Sequence, residues 1–452
     1  MIRTIARSER EAAPVVELGT PLTLGCGTRL PNRIAKAAMT EQLADRAGHP
    51  TDALVTLFSR WSAGGSGLLI TGGVLVDPRW PSEPYVVVIE DRDLDCLSRW
   101  SAGARSGGGQ AWMQLNHPGR QVLRTVTRRS VAPSVVKSRY RGLLATSREL
   151  DGYEIVGLIE RFGRAARIAE RAGFTGVELH AAHGYLHSQF LSPLTNRRAD
   201  DWGGTPEKRM RFLLESLRSI RSQVASSFAV GVKLNSADFQ RGGFTEEESM
   251  GVVAALNDER IDLLEVTGGT YEAPVMDDGR TSRQSTLARE AYFLEYARKV
   301  RSIAEMPIML SGGIARPEMM RQLVAEGAVD VVGLARALAV MPDLPGKVLA
   351  ERPVGAVPSP PQVRARSINL GLNGPWYAQQ IHRLSRGEEP NPRRGLMRTA
   401  VAHASLNIRW RLGWNRPSKG ARRPDHSPEG NDGVNAISPR TYASHQRTEG
   451  PK

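Results

Sequence analysis

Short apolar runs recur along the chain, each followed by a loop and then by residues with helical spacing. They fall at 32–39, 67–71, 110–115, 175–179, 229–234, 261–266, 307–310 and 329–334. They are rich in Val, Ile and Leu and show little alternation, the pattern of parallel strands buried on both faces. Strands that alternate with helices indicate βαβ units, and eight such units predict a (β/α)8 TIM barrel. A doubly wound open sheet is the rival, but no early GxGxxG supports it. Helix starts agree with this parsing. Thr205-Pro206 offers an N-cap with proline at the first helical position, and Thr245 with Glu248 matches a capping box. The connection 116–152 after the third run is long, as loops covering a barrel's site often are.

The barrel pattern stops after residue 341. Residues 351–363 read as a Pro-, Val- and Ala-rich linker, and 373–386 as a short helix. The predicted organisation is an N-terminal segment 1–15, a barrel 16–345, a linker with a helical C-terminal extension 346–415, and a basic tail 416–452. That tail is polar and dense in Gly, Pro, Ser, Asn and Arg, so it is expected to stay disordered. An apolar fraction of 40% agrees with a partly unpacked chain.

A formal charge of +14 suggests nucleic-acid binding until it is located. Residues 361–452 hold 16 Lys or Arg against 6 Asp or Glu, so +10 of that charge lies beyond the barrel. Interleaved aromatics are lacking there, and no nucleic-acid partner is expected. The two cysteines, Cys26 and Cys96, form no CxxC pair and support neither a disulfide framework nor a zinc or iron–sulfur site. No apolar run reaches the ~18 residues of a membrane span, and the first residues lack a signal-like apolar core. The expectation is a cytoplasmic protein with no membrane partner.

In a (β/α)8 barrel the reactive groups stand at the C-terminal ends of the strands. The fourth run leads into His180, His183 and Tyr185. Two imidazoles can donate hydrogen bonds to one oxygen. A phenol of pKa about 10 stays protonated at neutral pH and can act as a general acid. The trio suits polarisation and protonation of an activated double bond. Buried structural histidines are the plainer reading. A metal site is not assigned, because His180, His183 and His187 have neither the glutamate of HExxH nor a nearby cysteine.

Other strand ends carry unusual residues. Gln114, in WMQLNHPGRQ, can donate and accept, and so can pair with an amide-like ring edge. Beyond it, His117 and Arg120 either contact ligands or hold their loop. Lys233 inside the fifth run needs an anionic partner, an internal carboxylate or a cofactor. Gly72 and Gly73 permit close approach of a planar ring, or a tight turn. Gly312 and Gly313 after the seventh run, with Arg336 after the eighth, suit a phosphate.

The stretch 180–215, HAAHGYLHSQFLSPLTNRRADDWGGTPEKRMRFLLE, resembles the Old Yellow Enzyme family, the FMN-dependent ene-reductases of the NADH:flavin oxidoreductase class. QLNHPGRQ and GGFTEEE are similar to that family as well. The likeness covers about 16–345 and continues weakly to 386 through WYAQQIHRLSRG. It implies FMN bound by Ala38, Met39, Thr40, Gly72, Gln114, Lys233, Gly312, Gly313, Gly333 and Arg336. Thr40 would bond a flavin carbonyl, although by itself it reads as a turn or capping threonine. Lys233 would stabilise charge on the reduced flavin. Ala38 stands where the family commonly has proline, which loosens the turn. Ala335 replaces the glycine common before this arginine, which displaces one backbone contact.

The resemblance also implies two half-reactions. NADPH or NADH reduces the flavin, and an α,β-unsaturated carbonyl compound then takes the nicotinamide's place. His180 and His183 would bind the carbonyl oxygen, N5 would pass hydride to the β-carbon, and Tyr185 would protonate the α-carbon from the opposite face. Larger relatives add an iron–sulfur cluster and a second flavin domain, for which this chain lacks the cysteines, so the single-flavin form is expected. Two alternatives stand. One is a flavin dehydrogenase or oxidase acting on amines, steroids or nitro compounds. The other is a non-redox barrel that binds a phosphorylated ligand. The substrate loops, 41–60 and 116–150, name no substrate, and a homo-oligomer remains open.

Overall fold

The computed structural model describes residues 16–138, 142–268, 292, 294–312, 314 and 316–414. Eight parallel strands close into a barrel: β1 (Ile34–Lys36), β2 (Leu68–Ile70), β3 (Gln110–Asn116), β4 (Gly176–Ala181), β5 (Ala229–Asn235), β6 (Leu263–Thr267), β7 (Ile308–Ser311) and β8 (Val331–Leu334). Each pairs with the next, and β8 returns to β1 with Val332 opposite Ile34. Helices α1 (Asp52–Ala63), α2 (Leu94–Arg105), α3 (Gly152–Arg171), α4 (Leu186–Leu191), α5 (Pro206–Arg221) and α6 (Glu246–Asp258) follow in turn. Residues 294–300 are helical between β6 and β7, and α7 (Pro317–Ala325) and α8 (Arg336–Val340) complete the ring.

The predicted strands are all present, with shifted ends. The first shrinks from 32–39 to three residues, because its last apolar positions turn away into the rim loop. The fourth extends through His180 and Ala181, so the first histidine sits inside the strand. Thr205 accepts from the Lys208 N–H, and Thr245 forms its capping box with Glu248. Asp151 makes a further capping box with Glu154 at the start of α3. Each cap is worth about 1 kcal/mol. The long connection after β3 contains a short ladder, Arg129–Ala132 beside Thr146–Glu149, that no sequence pattern announced.

Alternation along the strands sorts the interior into layers. The floor is apolar: Trp112, Leu24, Leu30, Leu68, Leu263, Met309 and Val331 pack as one cluster. The Trp112 indole is fully buried and needs room on two sides. A Cβ at Gly176 would lie 2.7 Å from its Nε1, and one at Gly231 would lie 2.7 Å from its Cζ3. Above this floor the next inward positions are polar, namely Gln114, Glu178, Lys233, Glu265 and Ser311. The mouth follows with His180, Asn235 and Thr267.

After α9 (Leu344–Leu349), residues 353–363 carry no regular element. The helix expected at 373–386 is longer, α10 (Arg366–Leu384), and α11 (Leu396–Trp414) returns beside it. Trp376 is fully buried and donates to the Arg394 carbonyl at 2.9 Å. Gln380 and Asn391 exchange two bonds across the turn. His382 reaches the Glu41 carbonyl at 3.1 Å, which fixes α10 to the β1 rim loop. The expected disordered tail and the N-terminal segment lie outside the described residues.

Candidate active site

The mouth of the barrel gathers the trio expected from sequence. His180 lies on β4 and is 4% exposed. Its ring centroid is 5.3 Å from that of His183 and 4.8 Å from that of Tyr185. His183 and Gly184 both take left-handed backbone, at φ 59° and 77°. This costs about 1 kcal/mol or more at a non-glycine residue. The conformation turns the chain so that His183 and Tyr185 face the same space as His180. Asn235 accepts from the His183 N–H at 3.2 Å and holds that turn. Tyr185 then begins α4, with its N–H bonded to the Ala182 carbonyl.

Both imidazoles are neutral at ordinary pH. Burial pushes His180 well below its usual range, and the neighbouring His183 and Lys233 disfavour its charging further. Burial, with Lys233 again, pushes His183 down to about 3. His180 Nδ1 accepts from the Ala182 N–H at 3.3 Å, which leaves Nε2 to carry the proton and donate. His183 Nε2 lies 3.2 Å from the Thr267 hydroxyl, a pair in which either partner can donate. His187 turns away, stacked on Phe212 with centroids 4.6 Å apart and bonded to Ser216.

Beneath the trio lies a buried polar layer. Gln114 donates to Glu178 at 2.6 Å, and Lys233 pairs with Glu265 at 2.5 Å. Ser311 also donates to Glu265. Sequence reading singled out Gln114 and Lys233 but missed both carboxylates. Their signal was available: a glutamate inside GVELH and another inside LLEVT, each charged within an apolar run.

The neighbouring loops are stitched together. His117 is fully buried, and its Nδ1 accepts from the Gly119 N–H at 3.1 Å. Burial holds it down to about 4. Gln189 accepts from Arg120 N and donates to the Pro118 and Gly184 carbonyls. Gly119 has φ 56°, and a Cβ there would fall 2.3 Å from Gln189 Oε1. Of the two roles open to His117, the contacts favour holding the loop.

At the β1 rim Thr40 donates to Glu83 at 3.1 Å, and Gln42 bonds the other oxygen of the same carboxylate at 2.6 Å. Gly72 donates its N–H to Glu41 at 2.8 Å, and its Cβ position is occupied at 2.3 Å by the Met39 carbonyl. The glycine is therefore required by the rim itself. Ala38 and Met39 are half-buried beside it. On the far side Gly312 has φ 117°, and a Cβ at Gly333 would lie 2.9 Å from Ser311 Cβ. The Arg336 guanidinium lies 5.8 Å from the Tyr377 ring of α10. Gly313 lies outside the described residues.

A (β/α)8 barrel whose mouth joins two neutral imidazoles and a phenol above a buried lysine–carboxylate layer has the form of a flavin-dependent oxidoreductase. The chain belongs to the NADH:flavin oxidoreductase / NADH oxidase family, whose sequence profile matches residues 17–354. It is 36% identical to the NADH-dependent flavin oxidoreductase iliE of Hypocrea jecorina (strain QM6a), over 80% of this chain and 94% of that protein. It is 33% identical to the NADH-dependent flavin oxidoreductase iccE of Talaromyces variabilis, over 82% and 99%. A solved 2-naphthoyl-CoA reductase in complex with 2-naphthoyl-CoA superposes with a TM-score of 0.69 at 27% identity, covering 75% of this chain and 52% of that one. The cofactor is FMN and the reductant a nicotinamide dinucleotide. Among the described residues no helix is long and apolar enough to cross a membrane.

Proposed function

We propose that this protein reduces the activated C=C bond of α,β-unsaturated carbonyl compounds, with Tyr185 as the proton donor. The observation that carries this reading is the convergence of His180, His183 and Tyr185 at the mouth. The site's chemistry fits FMN. Gln114 matches the pyrimidine edge, Lys233 offers it a positive charge, and Gly312 with Arg336 suits its phosphate. The buried Asn235 Nδ2 atom has no partner of its own, as a layer facing a polar ligand would show. Ala38, Met39, Thr40 and Gly72 would line the β1 and β2 side, with Gly333 on the phosphate side. FMN, when bound, supplies hydride for the β-carbon.

The chain's own residues do the rest. His180 donates from Nε2 to the substrate carbonyl oxygen, and His183 bonds the same oxygen when Thr267 donates to its Nε2. Neutral donors in a water-poor mouth stabilise the negative charge that develops on that oxygen. Tyr185, against the His180 ring, gives its phenolic proton to the α-carbon. NADH as reductant is supported by the names of the relatives. The test is Tyr185→Phe, followed one half-reaction at a time. FMN reduction by NADH should persist, and reoxidation by cyclohexenone should slow by about 10²- to 10⁴-fold. An equal loss in both halves would contradict the assignment.

A further inference from the structure

The layer beneath the histidines contains two carboxylates to which the proposed reaction gives no role. Lys233 and Glu265 lie opposite each other across β5 and β6, with Nζ and Oε1 at 2.5 Å. Ser311 donates to that same Oε1. Glu265 Oε2 is buried and takes no bond from an N–H or hydroxyl. Glu178, opposite Gln114 across β3 and β4, uses one oxygen to accept from its amide at 2.6 Å. Its carboxyl also meets that of Glu265. Both are about 1% exposed. Two ionised carboxylates in contact beside one ammonium would leave the layer with net negative charge and Glu265 Oε2 without a donor, which is costly at this depth. One proton between them removes both costs.

We propose that Glu178 and Glu265 share one proton and act together as a single negative counter-charge to Lys233, positioning residues that hold down the affinity of the bound FMN for electrons. Burial and the Glu265 charge hold Glu178 well above the usual carboxylate range, while for Glu265 burial is outweighed by Lys233 and the bonds from Glu178 and Ser311, which hold it below that range. The layer is then neutral as a whole. The lysine would still be free to bond the pyrimidine edge, but its field would be largely cancelled. The inference rests on the proposed place of Lys233 at the cofactor.

The test uses holoenzyme with bound FMN and reads two quantities. One is affinity for sulfite, whose reversible addition puts negative charge on the flavin. The other is the two-electron potential. Glu178→Gln and Glu265→Gln each leave one ionisable carboxylate, so each should stay within about threefold of the wild type. The double substitution leaves Lys233 uncompensated and should tighten sulfite binding about tenfold or more, equivalent to about 30 mV in potential. In the infrared, the wild type at alkaline pH should show a buried carboxylic-acid carbonyl band that the double variant lacks. A double variant with unchanged sulfite affinity, or a single variant with its full effect, would overturn the proposal. Lys233→Met separates the two levels. If it weakens sulfite binding while the carboxylate variants do nothing, the shared counter-charge falls alone. If it too changes nothing, the placing of Lys233 falls with it.

Discussion

Lys36 is the sharpest place to test how the rim is held. It is fully buried between β1 and α1, with Nζ 4.6 Å from the Trp61 ring and 5.1 Å from that of Phe58. It donates to the Ile70 carbonyl at 2.7 Å and the Ala37 carbonyl at 3.2 Å, and lies 3.9 Å from Glu41. Glu41 in turn holds the Gly72 N–H. Lys36→Met keeps most of the volume and removes the charge. It leaves a buried carboxylate without its cation, at about 3–5 kcal/mol. With an unfolding entropy of about 2.1 cal/mol/K per residue over roughly 370 described residues, 4 kcal/mol lowers Tm by about 5 °C.

The loss should depend on pH. Burial already holds Glu41 above the usual carboxylate range, and Lys36 is the main group opposing that shift. Without Lys36 the pKa rises further. The folded variant then retains a proton that the unfolded chain releases, so its stability falls as pH rises toward the folded pKa, by up to about 1.4 kcal/mol per unit. Scanning calorimetry of Lys36→Met, Glu41→Gln and the double variant at about pH 6 and about pH 9 measures this directly. The double variant should recover most of the stability lost by Lys36→Met at the higher pH. A Lys36→Met variant whose deficit is the same at both pH values, or a double variant whose loss is the sum of the singles, would show that Lys36 and Glu41 do not act as a pair.

Replacing both His180 and His183 by Ala should abolish the charge-transfer absorbance that a phenol gives over the flavin, and an unchanged band would remove them as the oxygen-binding pair. Because both imidazoles are held neutral, with His183 down to about 3, enone binding should show no histidine titration between pH 5 and 8; a step in the binding constant near pH 6.5 would contradict this. Gly231→Ala should cost about 1–3 kcal/mol by forcing a Cβ onto Trp112, read as a lowered Tm. Trp376→Ala should cost about 3–5 kcal/mol and weaken FMN retention, since α10 carries Tyr377 against Arg336 and His382 against Glu41. Retention equal to the wild type would detach α10 from the site.

The periodic signals in this chain were local, and they were legible. Buried parallel strands read as unbroken apolar runs, and the caps at Thr205 and Thr245 depend on residues three apart. His180, His183 and Tyr185 fall within six positions, so one turn brings them together. What stayed hidden depends on contacts across the barrel. Glu178 and Glu265 are 87 residues apart in sequence, and only strand register makes them neighbours. Lys36 reads as one polar residue in an apolar run until α1 and the β1 loop enclose it. Gly72 reads as room for a ring, whereas the Met39 carbonyl and Glu41 require it first. The second C-terminal helix was missed because its apolar positions are divided between a packed face, with Trp410, and an exposed one, with Met397 and Val401.

The most direct test of the proposed reaction is an anaerobic visible spectrum of the purified protein, taken before NADH, after NADH and then after cyclohexenone. The protein should be yellow, bleach with NADH and regain its colour with the enone. A protein that bleaches but stays bleached with enone would contradict the ene-reductase reading and leave the flavin barrel with another substrate.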